Sequence, residues 1–157
     1  MRKDIITPES QGGKSSGLQW IDVENLARTE ISSEDAAHPI ESALRSGAGP
    51  GWRAAQPGPQ TIRLIFDAPI KLRLVRVEFH EPEVARTQEF VLRWSADQGR
   101  TYREIVRQQY NFNPPGTTSE QEEYEVDLAG VTALELGITP AMGRSDVRAS
   151  LAQLLLA

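Results

Sequence analysis

Gln88-Glu89-Phe90-Val91-Leu92-Arg93-Trp94-Ser95-Ala96-Asp97-Gln98-Gly99-Arg100-Thr101-Tyr102 is the segment whose pattern decides the fold. Successive side chains of a strand point to opposite sides, so Phe90, Leu92 and Trp94 share one face. Asp97-Gln98-Gly99 supplies turn residues, and Tyr102 and Ile105 resume the apolar pattern, which predicts a hairpin. Upstream, Thr61 to Asp67 alternates so that Ile62, Leu64 and Phe66 share a face. In Leu72 to Phe79, Val75, Val77 and Phe79 keep one phase while Leu72 and Leu74 keep the other. A bulge near Leu74 would reconcile them. Runs at Tyr124 to Leu128, Thr132 to Thr139 and Ser150 to Leu156, with one near Leu26 to Ile31, bring the total to about eight strands. The expected fold is all-β, a two-sheet jelly-roll sandwich of antiparallel strands. Pro39 to Arg45, with proline at its start and Gly47 just past its end, predicts a short lid helix.

The chain has 157 residues, 39% of them hydrophobic, which suits one domain with one core. Residues 1–17 are polar and rich in glycine and serine, and are expected to form a flexible arm ahead of a single domain over residues 18–157. Within the arm, Gly13-Lys14-Ser15 imitates the end of a phosphate-binding loop. Pro8 stands where the first glycine should be, and neither a buried strand nor an amphipathic helix flanks it. Seventeen basic against twenty-two acidic residues give a net charge of −5, which lacks the positive field of a general nucleic-acid binder. There is no cysteine and there are only two histidines, His38 and His80. Disulfide, thiolate and zinc chemistry are therefore not expected, and no metal ligands or cofactor are assigned. No apolar run is long enough for a bilayer span or a signal peptide, so the expectation is a cytoplasmic protein, with leaderless export as the other route.

If each strand reverses the one before it, connections alternate between the two ends of the sandwich. Short turns at Asp67 to Ile70, Asp97 to Arg100 and Ala129 to Val131 then fall at one end. The long connections, Ser46 to Pro59, His80 to Thr87, Tyr110 to Ser119 and Pro140 to Ala149, fall at the other. Long loops tend to persist where they contact something, so that end is expected to be functional. Its candidate ligand-binding residues are His80, Glu81, Arg86, Tyr110, Asn111, Phe112, Asn113 and Arg144. Aromatic faces stack on sugar CH groups, and guanidinium, amide and carboxylate groups match hydroxyls or an anion.

Several of these residues have a second reading. Trp52 suits a plug at the end of the core, His38 a hydrogen-bonding residue at a helix entry, and His80 with Glu81 and Glu83 a solvated loop. Tyr110 and Phe112 are either inward strand residues or stacking platforms. Arginine outnumbers lysine fourteen to three, and Arg63, Arg73, Arg93, Arg103 and Arg107 alternate with apolar neighbours as on a solvated outer sheet face. Glu122, Glu123 and Glu125 read as the polar side of a strand. No catalytic motif of a serine hydrolase, metalloprotease or glycosidase is present, so no enzyme is expected.

Taken in order, Trp52-Arg53, the strand pair Thr61 to Phe79, Phe90 to Gly99 with Tyr102, and Ala149 to Leu154 resemble the discoidin, or coagulation-factor type C, domain. That family is a galactose-binding-like jelly roll that includes many carbohydrate-binding modules, and the resemblance covers roughly residues 31–157. A shorter one, through Ser32-Ser33, Asp35, His38, Leu44, Trp52 to Ala55, Gly58 and Thr61-Ile62, is to the amino-terminal domain of the animal single-strand-break repair scaffold. Many discoidin-type domains hold a structural calcium through an acidic loop and a glutamate of the last strand. Here the loop reads Ser46-Gly47-Ala48-Gly49-Pro50-Gly51 and Gln153 takes the glutamate's place, so tight calcium binding is not expected.

The resemblance and the loops together imply a non-catalytic, lectin-like module whose partner is a glycan or another hydroxyl-rich or anionic small ligand. Affinity through one shallow site would be weak, and a homodimer would raise it by avidity. The alternative is a protein- or nucleic-acid-interaction domain like the repair scaffold, with the acidic balance disfavouring nucleic acid. No membrane partner is expected.

Overall fold

Two strands of 21 residues each, β3 (Gln60–His80) and β6 (Ser119–Thr139), form the spine of the molecule. The computed structural model describes residues 19–47 and 49–157; the predicted amino-terminal arm lies outside them. Around the spine stand a short helix α1 (Val23–Leu26), β1 (Ala27–Ile31), a second helix α2 (Ile40–Leu44), β2 (Trp52–Pro57), β4 (Arg86–Ser95), β5 (Arg103–Phe112), β7 (Arg148–Leu151) and β8 (Gln153–Leu156). All strand pairs are antiparallel.

Hydrogen bonding orders one sheet β1-β3-β6-β4-β5, with β8 also on β3, and pairs β2 with β7 in a second. The β3–β6 register shifts between Ile65 and Leu74, and there the two strands bend together. β1 pairs with the first part of β3 at 62–66, and β8 with the last part at 75–78. One layer is therefore β1, early β3, late β6, β4 and β5. The other is early β6, late β3 and β8, extended toward β7 and β2 by the amide of Ala152, which donates to Glu78 O at 2.9 Å. Phe79 of the second layer meets Phe90 of the first with ring centres 5.2 Å apart, so aromatic rings fill the space between layers.

The sandwich follows expectation, but its segmentation corrects three details. Asp67 to Ile70 and Ala129 to Val131 do not end strands; they are bends inside β3 and β6, eased by Gly130 at φ 68°. Trp52 to Pro57 is a strand rather than loop, because it pairs with β7. The last run divides at Ala152 into β7 and β8, so the total of eight arises from compensating differences. The bulge near Leu74 is present: the register shifts between Leu72 and Leu74, and Leu72, Leu74, Val75, Val77 and Phe79 are all fully buried. The one-residue slip lets Leu72 share a core with Val75, Val77 and Phe79, while Leu74 is buried outside that cluster. The predicted short helix forms over Ile40–Leu44 and turns Ile40, Ala43 and Leu44 inward.

Candidate functional site

Floor residues come first, because strand pairing dictates where they point. In the β2–β7 pair Arg53 stands opposite Ser150, so both side chains leave the same face. Their neighbours Trp52, Ala54, Ala149 and Leu151 are buried. Arg53 and, two residues before Ser150, Arg148 therefore project outward from a floor sealed below by the core. Trp52 is the plug: its indole is 1% exposed and its Nε1 donates to Ser33 O at 3.1 Å.

The walls are two of the long connections. Residues 81–84 and Arg144, Asp146 and Val147 line, with the floor, a groove of about 450 Å³ that also takes in His80. A second depression of about 460 Å³ continues past Arg53, His80, Pro82 and Ser150 toward His38 and Gln153. The His80 side chain is 56% exposed, with Nε2 3.2 Å from Glu78 Oε2. Long connections do gather at this end. The amide of Glu81 donates to Thr118 O at 2.7 Å, that of Met142 to Thr87 O at 2.7 Å and that of Gly58 to Val147 O at 2.9 Å.

The eight expected site residues separate into two groups. His80, Glu81 and Arg144 line the groove. Arg86 lies behind its wall with a fully buried side chain: Nε donates to Glu81 Oε1 at 2.7 Å, and Nη1 to Gln88 Oε1 at 2.7 Å and Pro140 O at 2.6 Å. Its guanidinium carbon sits 4.9 Å from the Phe112 ring centre. Phe112 is fully buried and Tyr110 packs edge-on against it at 5.2 Å, so the inward reading of both is right and neither ring is a platform. Burial holds the Tyr110 hydroxyl well above its usual range. Asn111 and Asn113 are exposed; Asn111 Oδ1 accepts from Thr87 Oγ1 at 2.6 Å, and Asn113 forms a backbone bridge with Thr117. Neither asparagine lines the groove.

Two of the groove's three carboxylates are already occupied; the third, that of Glu83, is exposed and has no side-chain partner among the described residues. Burial raises the Glu81 carboxyl, but the amides of Glu83 and Val84 and the Arg86 guanidinium outweigh it and leave it below its usual range. Asp146 accepts from both Arg144 Nε and Nη2, which lowers it as well. The carboxyl held up, Glu120 at about 7, owes this first to a hydrogen bond with Glu122 and then to burial, and it lies outside the groove lining. This corrects the reading of Glu122, Glu123 and Glu125 as one polar side: Glu123 faces Arg76 on one side of β6, Glu122 lies with Glu120 on the other, and both Glu122 and Glu123 are half-buried.

Most of the surface arginines belong to the scaffold. Glu30, Arg63, Glu135 and Arg93 stand in register across β1, β3, β6 and β4. Glu135 accepts from Arg63 Nε at 2.7 Å and Arg93 Nη1 at 3.1 Å. Alternating charge in one row gives a solvated outer face, as expected.

For calcium the local chemistry is unsuitable. The loop beside α2 carries no carboxylate, and Gln153 Nε2 donates to Arg45 O at 3.1 Å and Gly47 O at 3.0 Å. Those carbonyls already face an amide donor, and a dication would meet N–H groups where it needs oxygen. Among the described residues no group of three or more histidine, aspartate or glutamate side chains is placed to hold a metal.

No family model matches the sequence, and no curated protein does either. Solved structures do match. The family 32 carbohydrate-binding module of Clostridium perfringens NanJ, in complex with galactose, superposes with a TM-score of 0.63 at 10% identity, over 87% of this chain and 96% of that one. The corresponding module of AlyQ, in complex with 4,5-unsaturated mannuronic acid, gives 0.63 at 14% identity over 88% and 98%. This is the galactose-binding-like fold. A pectin-binding carbohydrate-binding module also shares it, with a TM-score of 0.59 at 12% identity over 83% and 89%. The resemblance to the repair scaffold finds no support among these galactose-binding-like neighbours. Its matched residues are internal braces here: Ser32 and Ser33 hydroxyls both donate to Gln60 Oε1, at 2.6 and 2.8 Å.

Beside Glu83 and Asp146, the polar groove residues outside the expected eight are Arg53, Arg148 and Ser150 of the floor. Their signal was the alternation Trp52-Arg53-Ala54 and Arg148-Ala149-Ser150-Leu151, visible only once both runs are read as strands.

Proposed function

We propose that this chain is a non-catalytic carbohydrate-binding module that holds a glycan in the groove over the β2–β7 floor. The observation that carries this is the groove itself. Outward Arg53, Arg148 and Ser150 lie between two ordered loop walls, on a fold whose solved neighbours include modules in complex with galactose and with an unsaturated mannuronic acid. His80, Arg144, Arg53 and Ser150 offer hydrogen-bond donors to ring oxygens and hydroxyls.

Binding rather than turnover fits the state of the acids. Glycoside hydrolysis needs a carboxyl whose pKa is raised so that it can protonate the leaving oxygen. In the groove Glu81 and Asp146 are both shifted the other way.

On an array of neutral and acidic glycans the protein is expected to retain a small related set, with weak monovalent affinity because the site is shallow and open. Arg53→Ala should lower that signal about tenfold, as loss of one or two charge-assisted hydrogen bonds does, and leave the melting temperature within about 2 °C, since Arg53 is exposed. A blank array, or retention indifferent to Arg53→Ala, contradicts the assignment.

A further inference from the structure

We infer that the groove selects an acidic sugar, and that Arg53 receives its carboxylate with Arg148 beside it; this rests on reading the groove as a glycan site.

The first observation is an imbalance of partners. The Arg53 guanidinium has no hydrogen bond or ion pair among the described residues, although its backbone is tied at both ends, to His38 O and to the amide of Asp35. Arg148, on the same face, has no ion pair of its own and is sensed only electrostatically, by Asp35. Most of the nearby acids are committed elsewhere: Glu81 serves two amides and Arg86, Asp146 serves Arg144, Glu78 faces His80 and Asp35 faces His38, which leaves Glu83 as the groove carboxylate without a side-chain partner. The groove therefore carries two unpaired guanidiniums, Arg53 and Arg148, against one unpaired carboxylate, Glu83, and keeps an excess of donors and positive charge. A carboxylate satisfies an arginine fork through two parallel hydrogen bonds, which a hydroxyl cannot do.

The second observation is independent of charge. Shallow sites hold neutral hexoses by stacking an aromatic ring on the CH face of the sugar, and that surface is missing here. Trp52 is 1% exposed beneath the floor, Tyr110 and Phe112 pack in the core, and the lining of the groove includes one aromatic ring, the His80 imidazole. A neutral hexose would give up water at its hydroxyls for little apolar contact. A hexuronate gains a charge-assisted pair in return.

The test is titration calorimetry at low salt with the methyl glycosides of galacturonate, glucuronate and mannuronate, each beside its methyl ester and its parent hexose. The expected result is that at least one hexuronate binds ten times or more tighter than its own ester and hexose, and that Arg53→Gln reduces this preference to below threefold. Raising the salt should weaken the acid and leave any residual hexose binding unchanged. Equal binding of acid, ester and hexose overturns the acidic preference and leaves the glycan assignment standing. So does silence from all nine compounds when the array shows neutral glycans retained. Silence here together with a blank array removes both.

Discussion

Arg86→Met is expected to be the most damaging single substitution in the groove wall, lowering stability by about 3 kcal/mol or more, because one partner of a buried ion pair is removed while the other remains. The guanidinium organises parts of the chain that are far apart: Glu81 in the 81–84 wall, Gln88 in β4, Pro140 at the end of β6, and Phe112 in β5. Methionine fills the volume and keeps a soft contact with the Phe112 ring. It leaves the fully buried Gln88 amide oxygen and the Pro140 carbonyl without their donor. In a domain of this size such a loss lowers the melting temperature by about 10 °C. Thermal unfolding checks this, and the paired variant Glu81→Gln/Arg86→Met should recover part of the deficit, since the stranded charge is then gone. A drop below 2 °C for Arg86→Met would mean that the network does not brace the wall.

Gly51→Ala is the second large effect, and it acts on the floor. Gly51 opens β2 at φ 72°, a left-handed conformation that an L side chain adopts at a cost. A Cβ there would stand 2.7 Å from Leu151 O and 3.1 Å from Ala152 Cα, both backbone atoms at the β7–β8 junction. Backbone can yield only if β2 and β7 separate, which would displace Arg53 from Ser150. The expected cost is about 3 kcal/mol, the conformational penalty plus the forced movement. Gly58→Ala separates the two contributions. Gly58 has φ 94° but open space where a Cβ would go, so it should cost about 1 kcal/mol. Chemical denaturation of the pair gives the comparison; equal losses would refute the close approach of β2 to the β7–β8 junction.

Much of the architecture was legible because it rests on alternation, a property of neighbouring residues. The slip of phase between Leu72 and Val75 announced a bulge, and one stands there. What alternation cannot show is whether a polar run between two apolar ones ends a strand or bends it. Asp67 to Ile70 reads as a turn in sequence, yet β3 runs through it because β6 bends alongside and keeps much of the ladder paired.

The site was legible only in part, for a related reason. His80, Glu81 and Arg144 were found from loop length and chemistry, and all three line the groove. Arg86 was judged by its charge, although it stands in phase with Gln88, Phe90 and Leu92, which are all buried. Its partners come from separate segments, so nothing local reveals that an inward arginine is held there by Glu81, Gln88 and Pro140. Tyr110 and Phe112 likewise keep one phase of β5, and the core claims them. Arg53 sits on a connection that the sequence places at the functional end, but its outward place on the floor depends on a strand defined by β7, nearly a hundred residues later.

The assignment of the groove as the glycan site is tested most directly by amide chemical-shift mapping of the labelled protein with the best-retained array glycan. The expected perturbations centre on Arg53, His80, Arg144 and Ser150, with little change along Arg63, Glu135 and Arg93 on the outer face. Perturbations centred on that outer row, or on the Asp97 to Arg100 turn, with the groove silent, would contradict it.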